Sequence, residues 1–116
     1  MINRGDIYWV LLEGKGSVQR GIRPCIIVQN NIGNAFSNTT IVVPLTSKKP
    51  KKLLPTHLEV PGKWLGEAFD DSIALFEQMT TVDKKEQVYG FISKIPELEE
   101  INKKASISLG FQIPVY

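Results

Sequence analysis

The chain is divided into short runs of β-branched and aromatic residues, each cut off within a few positions by glycine, proline or asparagine. That punctuation constrains the fold more than any other feature, because runs so short are strands or turns and not long helices. Ile7 to Leu12 is a continuous apolar run holding Tyr8 and Trp9, the pattern of a strand buried on both faces. Gly14 to Ser17 breaks it, and polar residues continue to Gly21 as a flexible loop. Pro24 to Gln29 reads as the next strand, Asn30 to Asn38 as turn and loop chemistry, and Thr39 to Leu45 as a β-branched return strand. A basic loop, Lys48 to Lys52, is interrupted by Pro50. His57 to Val60 makes a short strand, and Pro61 to Asp71 is a connector. Two short strands, Ile73–Phe76 and Gln78–Val82, then precede Val88 to Ile92.

The period changes once. From Pro96 the apolar residues fall at Leu98, Ile101, Ala105 and Leu109, a helical spacing. Pro96 suits the first helical position and Gly110 the position just past the end, with Glu97, Glu99 and Glu100 where the helix dipole favours negative charge. Many short strands and one terminal helix make a mainly β domain: a small, curved antiparallel barrel with a packed C-terminal helix. All 116 residues read as one domain.

Fourteen Lys+Arg against 12 Asp+Glu leave a net charge of +2, too little to argue a nucleic-acid partner alone. The charge is segregated, however: Arg20 and Arg23 lie close together, and Lys48, Lys49, Lys51 and Lys52 crowd one loop. One cysteine, Cys25, rules out an internal disulfide and fits a reducing compartment. The N-terminal residues lack a signal-peptide core, and no apolar run approaches the ~18 residues that span a bilayer. A cytoplasmic protein without a membrane segment is expected.

One histidine and one cysteine do not make a zinc site, and no serine or cysteine nucleophile has a persuasive base. No glycine-rich phosphate cradle stands between a strand and a helix. An enzyme built from this sequence works with Arg, Thr, Ser, Gln, Asn or a carboxylate, with no metal and no cofactor. That repertoire suits RNA phosphodiester chemistry, where the substrate supplies its own 2′-OH nucleophile and the protein positions it and stabilises charge.

Five segments in order then carry a resemblance: Arg4-Gly-Asp-Ile-Tyr-Trp-Val, Gly21-Ile-Arg-Pro-Cys-Ile-Ile-Val-Gln-Asn-Asn-Ile-Gly-Asn, Ile41-Val-Val-Pro-Leu-Thr-Ser, Leu54-Pro-Thr-His-Leu-Glu-Val and Leu75-Phe-Glu-Gln-Met-Thr-Thr-Val-Asp-Lys. Together the sequence resembles the MazF/PemK/Kid toxin family, and most of all its MazF branch from Gram-positive bacteria. The resemblance implies an SH3-like barrel, as in MazF and CcdB, assembled as a homodimer. It implies a type II toxin that cleaves single-stranded mRNA at short base motifs, leaving 2′,3′-cyclic phosphate and 5′-OH ends. It also implies a cognate antitoxin, MazE-like, with an acidic tail that occupies the RNA path.

Carried over residue by residue, the resemblance makes Arg23 and Thr46 catalytic. A guanidinium holds phosphate oxygens through paired donors, which suits stabilisation of a pentacoordinate phosphorus; its permanent charge argues against a general-base role. Thr46 supplies a hydroxyl to the same phosphate. Ser17, Gln19 and Arg20 on the first loop, with Asn30, Asn34, Lys48 and Gln78, are the expected substrate contacts, the amides reading base edges. Val18 stands where relatives carry an acidic residue, and Thr80 where many carry a basic one, so Arg20 or Lys48 is expected to replace that cation. Glu77 is the candidate general base, with a structural carboxylate as the competing reading. His57 and Cys25 read as structural residues, and Tyr8, Trp9 and Phe76 as core. Two other functions share the fold: a non-catalytic SH3-like module that binds RNA or protein, and a CcdB-like gyrase poison. The C-terminal Gln112-Ile-Pro-Val-Tyr116 lacks the ending the latter activity depends on.

Overall fold

A computed structural model describes residues 1–66 and 69–113. The final Pro-Val-Tyr, part of the C-terminal comparison above, lies outside them. Seven strands form one antiparallel sheet: β1 (Asp6–Glu13), β2 (Arg20–Ile27), β3 (Thr39–Thr46), β4 (His57–Val60), β5 (Ser72–Leu75), β6 (Thr80–Asp83) and β7 (Val88–Lys94). Among the described residues three α-helices accompany them: α1 (Asn31–Phe36), α2 (Lys84–Gln87) and α3 (Leu98–Ser108). The strands run β4-β5-β3-β2-β1-β7, and β6 pairs with β3 as well. The N-terminal half of β3 pairs with β6 and its last two residues pair with β5, so the sheet curls at this strand.

Strand alternation sorts the core into two clusters. Side chains one position apart point to opposite faces. Ile26 and Val43 therefore enter one cluster, with Ile7, Phe76 and Ile101, while Cys25, Ile27 and Val42 enter the other, with Val10, Leu12 and Val82. β1 is buried on both faces through Ile7 and Val10, as its apolar run implies. Trp9 departs from that reading. It is 36% exposed and is not core, whereas Phe76 is fully buried and Tyr8 half-buried against Phe91.

Three local differences from the sequence reading have clear causes. Asn30–Asn38 is not all loop: Asn30 caps a six-residue helix by accepting the Gly33 N–H at 2.8 Å. So short a helix shows no periodicity and is marginal alone; its environment holds it, with Lys84 donating to the Asn34 and Ser37 carbonyls. Gln78 is not in a strand, because Phe76–Gln78 is a 3-10 turn between β5 and β6. Pro96 lies just before α3 and not in it: Glu97 is the capping position and Leu98 opens the helix. Gly110 ends it with φ of 83°, a left-handed conformation that glycine adopts without strain.

α3 backs the sheet near the 3-10 turn. Ile101 is buried in the first cluster, Ser108 Oγ donates to the Phe76 carbonyl at 2.8 Å, and Lys104 Nζ donates to the Pro55 carbonyl at 3.0 Å. These bonds tie the helix to two segments that border the site. No helix among the described residues is long and apolar enough to cross a membrane.

Candidate active site

β2 and β3 pair antiparallel with Cys25 across from Pro44, Ile26 from Val43 and Ile27 from Val42. The ladder goes no further toward Arg23, since Thr46 at the end of β3 pairs with Ile73 of β5. Arg23 lies two residues before Cys25 on β2 and lines a hollow with Leu45 and Ser47, the chain neighbours of Thr46. Arg23 and Thr46 are each half-buried. Arg23 is aimed by its own strand, its Nε donating to the Arg20 carbonyl at 2.9 Å. Among the described residues it makes no ion pair, so it is not a surface ion-pair residue with one of them. Thr46 Oγ1 accepts the Lys48 N–H at 3.2 Å, which leaves its hydroxyl proton to donate.

Cys25, two residues on from Arg23 along β2, is fully buried. Burial pushes its thiol up to about 12, against the opposing pull of the Arg23 charge. A thiol held protonated is neither nucleophile nor base, so Cys25 belongs to the core.

Thr46, Gln19, Lys48, Lys52, Glu77 and Gln78 border an open depression of about 380 Å³. A second, of about 260 Å³, shares Gln19 and Gln78 with it and continues past Pro44, Thr80 and Thr81. The two form a track across the end of β3. Gln78 stands at their junction and holds the β1–β2 loop: its Oε1 accepts the Gln19 N–H at 2.8 Å, and its Nε2 donates to the Ser17 carbonyl at 3.2 Å. The loop leaves β1 through Gly14, where a Cβ would sit 2.2 Å from the Gln19 carbonyl oxygen; only glycine lets the loop fold back that closely. Arg23 lines a neighbouring hollow with Trp9, Ser47, Asp70 and Ser72. Exposed Trp9 beside the cation is the site neighbour that a reading of apolar runs misses, because an aromatic inside such a run carries no mark of exposure.

Glu77 is tied on both oxygens. His57 Nε2 lies 2.8 Å from Oε2, and Thr56 Oγ1 donates to Oε1 at 3.0 Å. The carboxylate is fixed in the track and keeps lone pairs for a ligand. His57 is a strand residue, as expected, but it also faces the track.

Two expected contacts are placed otherwise. Asn34 is 2% exposed, and its amide is engaged inside the fold: Nδ2 donates to the Gln29 carbonyl and Asn31 Oδ1, while Oδ1 accepts from Thr40 Oγ1 and Gln29 Nε2. It has no free edge for a base and is a structural residue. Asn30 is exposed, but its oxygen caps α1. Ser17 meets the track through its carbonyl. Arg20 is exposed on β2, and its carbonyl accepts from Arg23 Nε. Lys48, with Lys52, is the cation that borders the track; Thr80 at its far end is uncharged.

Residues 3–109 match the family described as PemK-like, MazF-like toxin of type II toxin-antitoxin system. The chain belongs to this family. Over 87 residues it is 45% identical to endoribonuclease EndoA of Bacillus subtilis, covering 73% of each chain. The fold is also that of solved family structures. MazF from Deinococcus radiodurans superposes with a TM-score of 0.77 at 20% identity, over 94% of this chain and 96% of that one. A mycobacterial endoribonuclease solved with its cognate antitoxin gives 0.74 at 21% identity, over 98% of this chain and all of that one. With membership in the toxin family, the gyrase-poison reading loses its ground, since nothing but the shared fold supported it.

Proposed function

We propose that this family toxin is an endoribonuclease that cuts single-stranded mRNA by attack of the substrate's own 2′-OH. The observation that supports the reading is Arg23 in a hollow with Leu45 and Ser47, the chain neighbours of Thr46, while Thr46 itself borders a track of amides and lysines. In this mechanism the Arg23 fork and the Thr46 hydroxyl grip the non-bridging oxygens of the scissile phosphate. The 2′-oxygen attacks phosphorus, charge grows on those oxygens, and the two donors stabilise it where it develops. The 2′-OH gives its proton to solvent, the 5′-oxygen leaves and takes one up as a 5′-OH, and a 2′,3′-cyclic phosphate remains. Gln19, Gln78 and Lys48 hold the flanking nucleotides. Glu77 already accepts two internal hydrogen bonds, so we assign it to recognition and not to proton abstraction.

The toxin acts as a homodimer and is neutralised by an acidic antitoxin in this reading. Exposed Ile32 and Phe36 on α1 support a protein partner, and exposed Lys48, Lys49, Lys51 and Lys52 support an acidic one. The deciding experiment is cleavage of a long unstructured RNA in EDTA. Discrete cuts are expected, each abolished by a single 2′-deoxyribose at the cleaved position. Cutting of the deoxy substrate means that water is the attacker; binding without cutting supports the non-catalytic module.

A further inference from the structure

The two ring nitrogens of His57 face different elements of the track. Nδ1 lies 3.0 Å from the Leu54 N–H, a group that only donates, so Nδ1 accepts. Nε2 lies 2.8 Å from Oε2 of Glu77, a carboxylate oxygen that accepts, so Nε2 carries the proton. The hydrogen bonds thus select one neutral tautomer. The His57 side chain is 4% exposed and that of Glu77 35%, so the histidine is the buried support and the carboxylate the presented group.

We propose that His57 is a positioning residue of the RNA track: its Nε2–H aims Glu77 at the substrate, and its Nδ1 anchors the end of the basic loop. This rests on the RNA-cleaving reading above. Glu77 is the only acceptor-only side chain bordering the track near Thr46 among the described residues. A carboxylate there selects a base that offers an N–H donor, such as the exocyclic amine of adenine or cytosine. The same imidazole holds Leu54 at the end of the loop that carries Lys48 and Lys52. A backbone bond, His57 N–H to the Leu54 carbonyl at 2.9 Å, supports the same turn, so losing the Nδ1 bond loosens the loop without dismantling it.

The test exploits the fact that His57 is the single histidine of the chain, so its imidazole signals need no assignment. Long-range proton–nitrogen correlation on the full chain near neutral pH is expected to show a protonated Nε2 and a bare Nδ1. Loss of the Nδ1 acceptor should quicken hydrogen exchange at the Leu54 amide. Two variants separate the halves of the role. His57→Asn keeps an acceptor near the Nδ1 position and loses the donor to Glu77; it should weaken discrimination at one base position by about tenfold, the scale of a charge-assisted hydrogen bond. His57→Gln keeps a donor near the Nε2 position and loses the Leu54 anchor; it should raise KM by about tenfold. A protonated Nδ1 at neutral pH, or base discrimination and KM that neither variant moves, overturns the proposal. If the wild-type chain cuts no RNA, the cleavage reading fails, and the tautomer and the Leu54 exchange still decide what His57 does.

Discussion

The side-chain oxygen of Gln78 accepts the backbone N–H of Gln19 at 2.8 Å, across 59 positions of sequence. The amide nitrogen of the same side chain donates to Ser17, so one residue of the 3-10 turn closes the β1–β2 loop onto the track. Gln78→Ala removes both bonds and leaves the loop tip without this tether. Hydrogen exchange at the Gln19 amide should quicken by about tenfold, since a net hydrogen bond is worth about 1 kcal/mol or slightly more. Gln78→Glu keeps the acceptor for Gln19 but sets a carboxylate oxygen against the Ser17 carbonyl, so exchange should quicken there too, and by less. Unchanged exchange in both variants would mean that the loop is held by something else.

Arg23 and Thr46 make separable contributions to the proposed transition state. Arg23→Lys keeps the charge and loses the planar fork, so kcat should fall roughly 10²- to 10³-fold, the range for deleting one well-placed donor to a developing oxyanion. Thr46→Val should cost roughly 10- to 100-fold, and Thr46→Ser, which keeps the hydroxyl, much less. Neither residue is in the core, so urea midpoints should move little. Single-turnover cleavage of a short RNA reads the effect; a loss confined to KM would make both residues binders only.

The strand runs, the terminal helix and its glycine stop were legible because period and punctuation are local properties of a sequence. α1 was not, since its six residues depend on Asn30, Gln29 and Lys84 for their hold and show no repeat. Arg23 and Thr46 entered through family resemblance; that the hollow at Arg23 reaches the chain neighbours of Thr46 follows only from the folded packing. The contact of His57 with Glu77 spans 20 positions and joins β4 to a turn, so neither residue announces the other. Asn34 shows the opposite failure. Its motif matched, and an asparagine in a turn-rich segment resembles a base reader, but burial decides its role and burial is not written in the motif.

Asn34 therefore yields a stability prediction. Three of its four side-chain hydrogen bonds link α1 to Gln29 and Thr40 in a buried setting, and the fourth, to Asn31, stays within α1. Asn34→Ala leaves the Thr40 hydroxyl and the Gln29 carbonyl without this partner, at a cost of about 2–4 kcal/mol. Urea denaturation should show a lower midpoint with an unchanged slope. The surviving folded enzyme should cut at the same base motif as wild type. An altered motif at undiminished stability would return Asn34 to the substrate contacts.

Cys25 gives the chain a defined weakness in alkali. Its thiol is pushed up to about 12 in the folded state, from an ordinary value of 9.0, chiefly by burial. The unfolded chain thus releases this proton before the folded one does. Below pH 9.0 both states keep the proton, and the contribution of the buried neutral thiol to stability is complete. As pH rises from there towards about 12, the unfolded state is ionised while the folded state is not, and the protein loses stability along that slope. Cys25→Ala removes the titration, so the difference between wild-type and variant stability should shrink as pH rises from 8 to 10. The same burial predicts that a thiol alkylating reagent reacts at neutral pH only through opening of the β2–β3 region, and that denaturant accelerates it steeply. Rapid modification of the native chain, or parallel stability curves for the two proteins across that range, would show that the thiol ionises freely where it stands.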